Sequence, residues 1–222
     1  MSAVNRARWQ AAVLVITPVA LLLSFIYHPY LPGTPPDSAA LAAAVAANPT
    51  RWGLAHIAVV GVAALVILAF LAIRAYLRDA GDDRWSLWAF PLIVVSAALM
   101  AFQPGLEFAP LAAAETGGDV QAMQETLMPW LIFSHVARSV LFLLGSVGFA
   151  VGIVRSRVLN PGMARVVVAA LVISAVALAI LSFSAFYVGS VAAIVALWPL
   201  AYAVLGHPRP HAAGLRPAAP TA

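Results

Sequence analysis

The chain has 222 residues, 64% hydrophobic and 9% charged, against the roughly 25% charged residues of soluble domains. All of its basic side chains are arginine, and there is neither lysine nor cysteine. These absences exclude lysine Schiff-base chemistry of the retinal kind, disulfides, thiolate catalysis, Cys-ligated iron–sulfur clusters and covalent c-type haem.

The apolar residues fall in long blocks, which predicts an all-α, polytopic membrane protein with one membrane domain over 1–205. The first ten residues carry Arg6, Arg8 and Trp9. The apolar run that follows predicts a first spanning helix over 9–27. Phe25-Ile26-Tyr27-His28-Pro29 offers no small-x-small cleavage site, so this helix is expected to stay in place. Residues 31–51 are a Pro-punctuated loop, in which Asp37 and Ser38 are placed to cap a short helix ending at Asn48-Pro49. The second span is expected over 52–77, with Trp52 as an interfacial anchor and His56 one turn inside. A charged link, 79–84, leads to a third span over 85–103, which Pro104-Gly105 is expected to stop.

Residues 104–128 then read as the longest connection. Val120, Met123 and Leu127 recur there at helical spacing, which predicts a surface helix within it. The fourth span, 129–154, carries His135 and Arg138 one turn apart, with Gly145, Gly148 and Gly152 below them. After Asn160-Pro161-Gly162, 43 residues with a single charge are too long for one crossing. They are read as spans over 163–182 and 188–205. The tail, 206–222, is rich in Pro and Ala and is expected to be disordered on the cytoplasmic side.

Arginine counting sets the expected orientation. With both termini cytoplasmic, ten arginines lie inside and Arg51 alone outside, while Arg138 sits within a helix. The carboxylates Asp37, Glu107, Glu115, Asp119 and Glu125 then face outward. The protein is accordingly expected in the cell membrane as a multi-pass protein. Its expected partner is the lipid bilayer, and no nucleic acid is expected because the arginines flank apolar segments.

Ionisable groups inside spanning segments are costly and mark functional candidates. His56 and His135 enter from the outer side on two helices of the same direction, at similar depth. The local patterns Pro49, Trp52, His56, Arg74 and Pro129, Trp130, His135, Arg155 resemble each other, as a duplicated hairpin would. Two imidazoles at one depth can ligate the iron of a b-type haem, with Arg51 or Arg138 pairing its propionates. Such a protein would pass electrons, with a quinone as the natural partner. A second expectation is a zinc centre from His28, His56, His135 and Glu107, although no H-E-x-x-H spacing supports it. A third is a non-enzymatic bundle, a binding or transport protein for a small amphiphile or an accessory subunit. Arg138 would be its buried counter-ion, itself placed to pair with Glu107 or Glu125. Beside each stands the plain alternative, in which these side chains only make hydrogen bonds at helix ends.

Overall fold

The computed structural model describes residues 2–206. Among them are seven helices: α1 (Ala3–Tyr27), α2 (Ser38–Ala47), α3 (Pro49–Asp79), α4 (Trp85–Thr116), α5 (Val120–Ser156), α6 (Pro161–Ala179) and α7 (Phe183–Gly206). All except α2 are long and apolar enough to cross a membrane. The expected tail lies outside the described residues, apart from Gly206, which ends α7.

Local chemistry explains most boundaries. Ser2, Asp37, Asn48, Asp119 and Asn160 each accept a hydrogen bond from an amide in the first turn of the helix that follows, as side-chain N-caps do. Proline fills the first position of α3 and of α6, where a missing N–H costs nothing.

Two boundaries differ from the sequence expectation. Pro104-Gly105 does not stop the third span: α4 runs on to Thr116, with Pro91, Pro104 and Pro110 inside it. The expected long connection therefore shrinks to residues 117–119. Gly117 ends α4 in the left-handed region at φ 74°, and Gly118 N donates to Ala113 O at 2.7 Å. Asp119 then starts α5, which passes through Pro129 without a break. Neighbouring helices make such interior prolines tolerable in apolar surroundings. The last turn comes earlier than expected, at residues 180–182.

The six long helices pack as a closed ring in sequence order. α1 meets α3, α3 meets α4, α4 meets α5, α5 meets α6, α6 meets α7, and α7 returns to α1. At one end lie Arg6, Arg8, Arg74, Arg78, Arg84, Arg155, Arg157 and Arg165; we call it the arginine end. Exposed Trp9, Trp88, Trp198 and Tyr202 lie towards it, in the manner of an interfacial aromatic belt. The other, histidine end carries His28, His56 and the α4–α5 turn. The short helix α2 packs across that end against α3, α4 and α5, with Leu41 and Val45 buried beneath it.

The two longest helices are in close contact towards the arginine end. A methyl carbon on Gly148 would lie 2.7 Å from Ala89 Cβ, and one on Gly145 would lie 2.7 Å from Ile93 Cδ1. Gly145 and Gly148 of α5 are thus spent on contact with α4, while Gly152 lies against Leu77 of α3 and Asp82 of the α3–α4 link, because small residues let helix backbones come together. One buried cluster, around Ile73, Leu77, Phe149, Ile153 and Leu200, fills the ring on this side. Aromatic packing of Phe25, Phe183 and Phe186 builds a second cluster nearer the histidine end.

Candidate functional site

Between these clusters the ring holds a partly open cavity with about 180 Å³ of space. Its walls are mainly apolar. The polar or ionisable side chains reaching it include His28, His56, Glu107, Gln124, His135 and Arg138. Every metal or cofactor residue expected from sequence therefore borders one cavity, except Arg51.

His28 follows the last turn of α1, and its Nδ1 donates to Pro29 O at 2.8 Å. His56, two turns into α3, donates from Nδ1 to Trp52 O at 2.8 Å. A carbonyl can only accept, so each neutral ring keeps its Nε2 lone pair. The two rings lie 5.0 Å apart, centroid to centroid. Trp52 packs against both. Burial, and then the neighbouring His56, push His28 down to about 4, so it is neutral at ordinary pH. Trp52 does not anchor at an interface as expected. It is 1% exposed, and its indole N–H donates to Glu107 O at 3.3 Å. Trp130, its counterpart in the repeated pattern, is 64% exposed, so the two patterns are not structurally equivalent.

Arg51 is turned away to a neighbouring helix end. Its Nε donates to Tyr27 O at 2.7 Å, and its guanidinium lies 5.6 Å from the Tyr27 ring centroid. It thus satisfies a terminal carbonyl of α1. His135 and Arg138 serve α6 in the same way. His135 Nε2 donates to Ala179 O at 3.1 Å, and Arg138 Nη2 donates to Leu178 O at 3.4 Å and to His135 Nδ1 at 3.2 Å. The last carbonyls of a helix have no partner within it, and in apolar surroundings an unpaired one is costly. A cation at that end also opposes the helix dipole. Ser96 Oγ of α4 donates to the Arg138 carbonyl at 2.8 Å, which fastens this turn of α5.

The expected pairing of Arg138 with Glu107 or Glu125 does not occur. No carboxylate among the described residues lies within 4.0 Å of its guanidinium, and its Nε is buried without a hydrogen-bond partner. Glu125 instead accepts from Gln121 Nε2 at 2.9 Å and Ser38 Oγ at 3.4 Å. Glu107 is 6% exposed and Gln124 1% exposed. Gln124 Nε2 donates to Glu107 Oε1 at 3.4 Å, while Glu107 Oε2 and Gln124 Oε1 have no partner. Gln124 was not singled out from sequence. The signal was present, since Gly117-Gly118-Asp119 combines a helix stop with an N-cap and places Gln124 in the second turn of a new helix.

The residues do not fit a haem held between His56 and His135. Both His135 nitrogens are engaged, so that ring offers iron no lone pair. A cavity of about 150 Å³ holds one benzene, and a tetrapyrrole is several such rings. The four-residue zinc set fares no better as a geometry. Among the described residues no group of three His, Cys, Asp or Glu side chains is disposed to hold a metal ion.

What the arrangement offers is an apolar chamber with a cation at one place on its wall and unfilled acceptors at another. The chain matches no protein-family model, no curated protein and no solved structure.

Proposed function

We propose that this integral membrane protein binds a small amphiphile inside its helical ring, with Arg138 as the counter-charge. It does so as a multi-pass protein of the cell membrane with its arginine end in the cytoplasm. The observation that carries this reading is Arg138 itself. Its guanidinium borders the cavity, is held by neutral acceptors and has no carboxylate partner among the described residues. An uncompensated cation in apolar surroundings is expensive, and an anionic or carbonyl-bearing group would offset that cost. Mostly apolar walls with a few placed polar groups are the usual make-up of a small-molecule site. A quinone ring has the required size and carbonyl acceptors, and so does the carboxylate end of a short fatty chain. The reading is one of binding, or of passage through the ring, rather than catalysis.

The test is direct. Wild type, Arg138→Gln and the cavity-filling Met100→Trp are placed in nanodiscs of uncharged lipid and titrated with dodecanoate. Arg138→Gln is expected to weaken binding about tenfold or more, the loss of one charge-assisted hydrogen bond. Met100→Trp is expected to weaken it by blocking space. Equal affinity across all three proteins refutes the reading.

A further inference from the structure

The same cavity carries a second polar place, and its chemistry is opposite to that of Arg138. Gln124 stands 14 residues before Arg138 on α5, about 21 Å along the axis at the α-helical rise. There Glu107 Oε2 and Gln124 Oε1 are buried with no hydrogen bond, on side chains 6% and 1% exposed. Nearly all buried polar atoms are bonded in folded proteins, so two orphaned oxygens at one place call for an explanation. The donors close to them are already engaged. Gln124 Nε2 is turned to Glu107 Oε1, and the Trp52 indole N–H to the Glu107 carbonyl. The rings of His28 and His56 border the same cavity, and each has given its Nδ1 proton to a carbonyl. Their remaining nitrogens are acceptors as well. This end therefore presents a carboxylate, an amide oxygen and two imidazole lone pairs.

Resting on the reading of the cavity as a binding site, we infer that Glu107 and Gln124 form a subsite for a hydrogen-bond-donating head, an ammonium or a hydroxyl group. Either supplies the missing N–H or O–H protons. An ammonium also neutralises the carboxylate, while a hydroxyl satisfies the acceptors without adding charge. α2 lies over this end of the ring, and Leu31, Pro36 and Leu41 complete its lining, so the head is held beneath an apolar cover. The cargo class is thereby narrowed to amphiphiles that carry a donor head.

The experiment uses the full chain in uncharged nanodiscs with three probes of one length: dodecylammonium, dodecanol and dodecanoate. Glu107→Gln and Gln124→Leu are compared with Glu115→Gln, an exposed carboxylate on the same helix. Both cavity variants are expected to lower affinity for the donor-headed probes about tenfold or more relative to dodecanoate. A response to dodecylammonium alone assigns an amine, and a response to both donor probes assigns the shared donor chemistry. Gln124→Leu changes no charge, so it still reports if Glu107→Gln fails to fold. The inference is overturned if neither variant changes the donor-to-dodecanoate ratio, or if Glu115→Gln changes it equally. If no probe binds the wild type, the cavity reading itself falls. If dodecanoate binds through Arg138 while the donor probes ignore Glu107 and Gln124, this inference alone falls.

Discussion

Replacing Gly148 by alanine puts a methyl carbon 2.7 Å from Ala89 Cβ and 3.6 Å from both Ala89 Cα and Trp85 O. Two carbons rest about 3.5–4.0 Å apart, so the shortfall is about 1 Å. Ala89 is 3% exposed, and its Cβ is fixed to the backbone, so no rotamer relieves the clash. α4 and α5 must separate at that crossing, which also loosens the neighbouring contact of Gly145 with Ile93 and Ala89. Overpacking of this kind costs about 1–3 kcal/mol, against a gain of about 1 kcal/mol from alanine as the better helix former. Gly61 on α3 has nothing within 4 Å of the added carbon, so Gly61→Ala keeps the gain alone. The propensity term cancels between the two variants. Gly148→Ala is therefore expected to be less stable than Gly61→Ala by about 1–3 kcal/mol. Reversible denaturant titration in one detergent, followed by circular dichroism, measures the difference. Adding Ala89→Gly to Gly148→Ala is expected to recover most of the loss. Equal stability of the two single variants, or no recovery, refutes the close α4–α5 contact.

Three further outcomes follow from the helix ends and the cavity. His135→Leu leaves the Ala179 carbonyl without its donor and is expected to cost about 1–3 kcal/mol; an unchanged thermal midpoint would show that the carbonyl finds another partner. Asp82 accepts from Trp85 N at 3.0 Å and Ser86 N at 2.8 Å. Burial raises its pKa, but the Ser86 and Trp85 amides outweigh it and hold the group below its ordinary value. Its contribution is thus full above the unfolded value near 3.9 and fades as pH falls through the folded one. Asp82→Ala is expected to cost about 1 kcal/mol at pH 7, a gap to wild type that narrows below about pH 4 in an acid series of unfolding curves. Finally, protein made with added haem is expected to show no low-spin bis-histidine spectrum. A Soret band that disappears in both His56→Ala and His135→Ala would show that the His135 hydrogen bonds yield to iron.

The six long helices were legible because apolar length is written plainly in composition, and the turn at Asn160-Pro161-Gly162 carries its own punctuation. Pro104 misled because the rule that proline ends helices is a rule for helices in water. In a bundle, neighbouring backbones and side chains absorb the lost bond, and α4 continues for another twelve residues. The polar side chains were found, but their partners were not. His135 and Arg138 look like a ligand set until the end of α6 is placed beside them, and no periodicity in α5 reveals where another helix stops. Arg51 misled in the same way, since its acceptor belongs to the last turn of α1. Gln124 is hidden because residues 104–128 read as a surface connection, where a glutamine needs no explanation.

The closed ring has a consequence for assembly. α7 touches both α1 and α6, so the circle is completed by a helix synthesised after the other five. Without α7 the contacts run only from α1 through α3, α4 and α5 to α6, which leaves the ring around Glu107, Gln124 and Arg138 open on one side. Phe183 and Phe186, which border the cavity, belong to α7. The chamber is therefore complete only once α7 is in place. A nascent chain halted before residue 183 would carry every polar group of the site and have no enclosed space to put a ligand in.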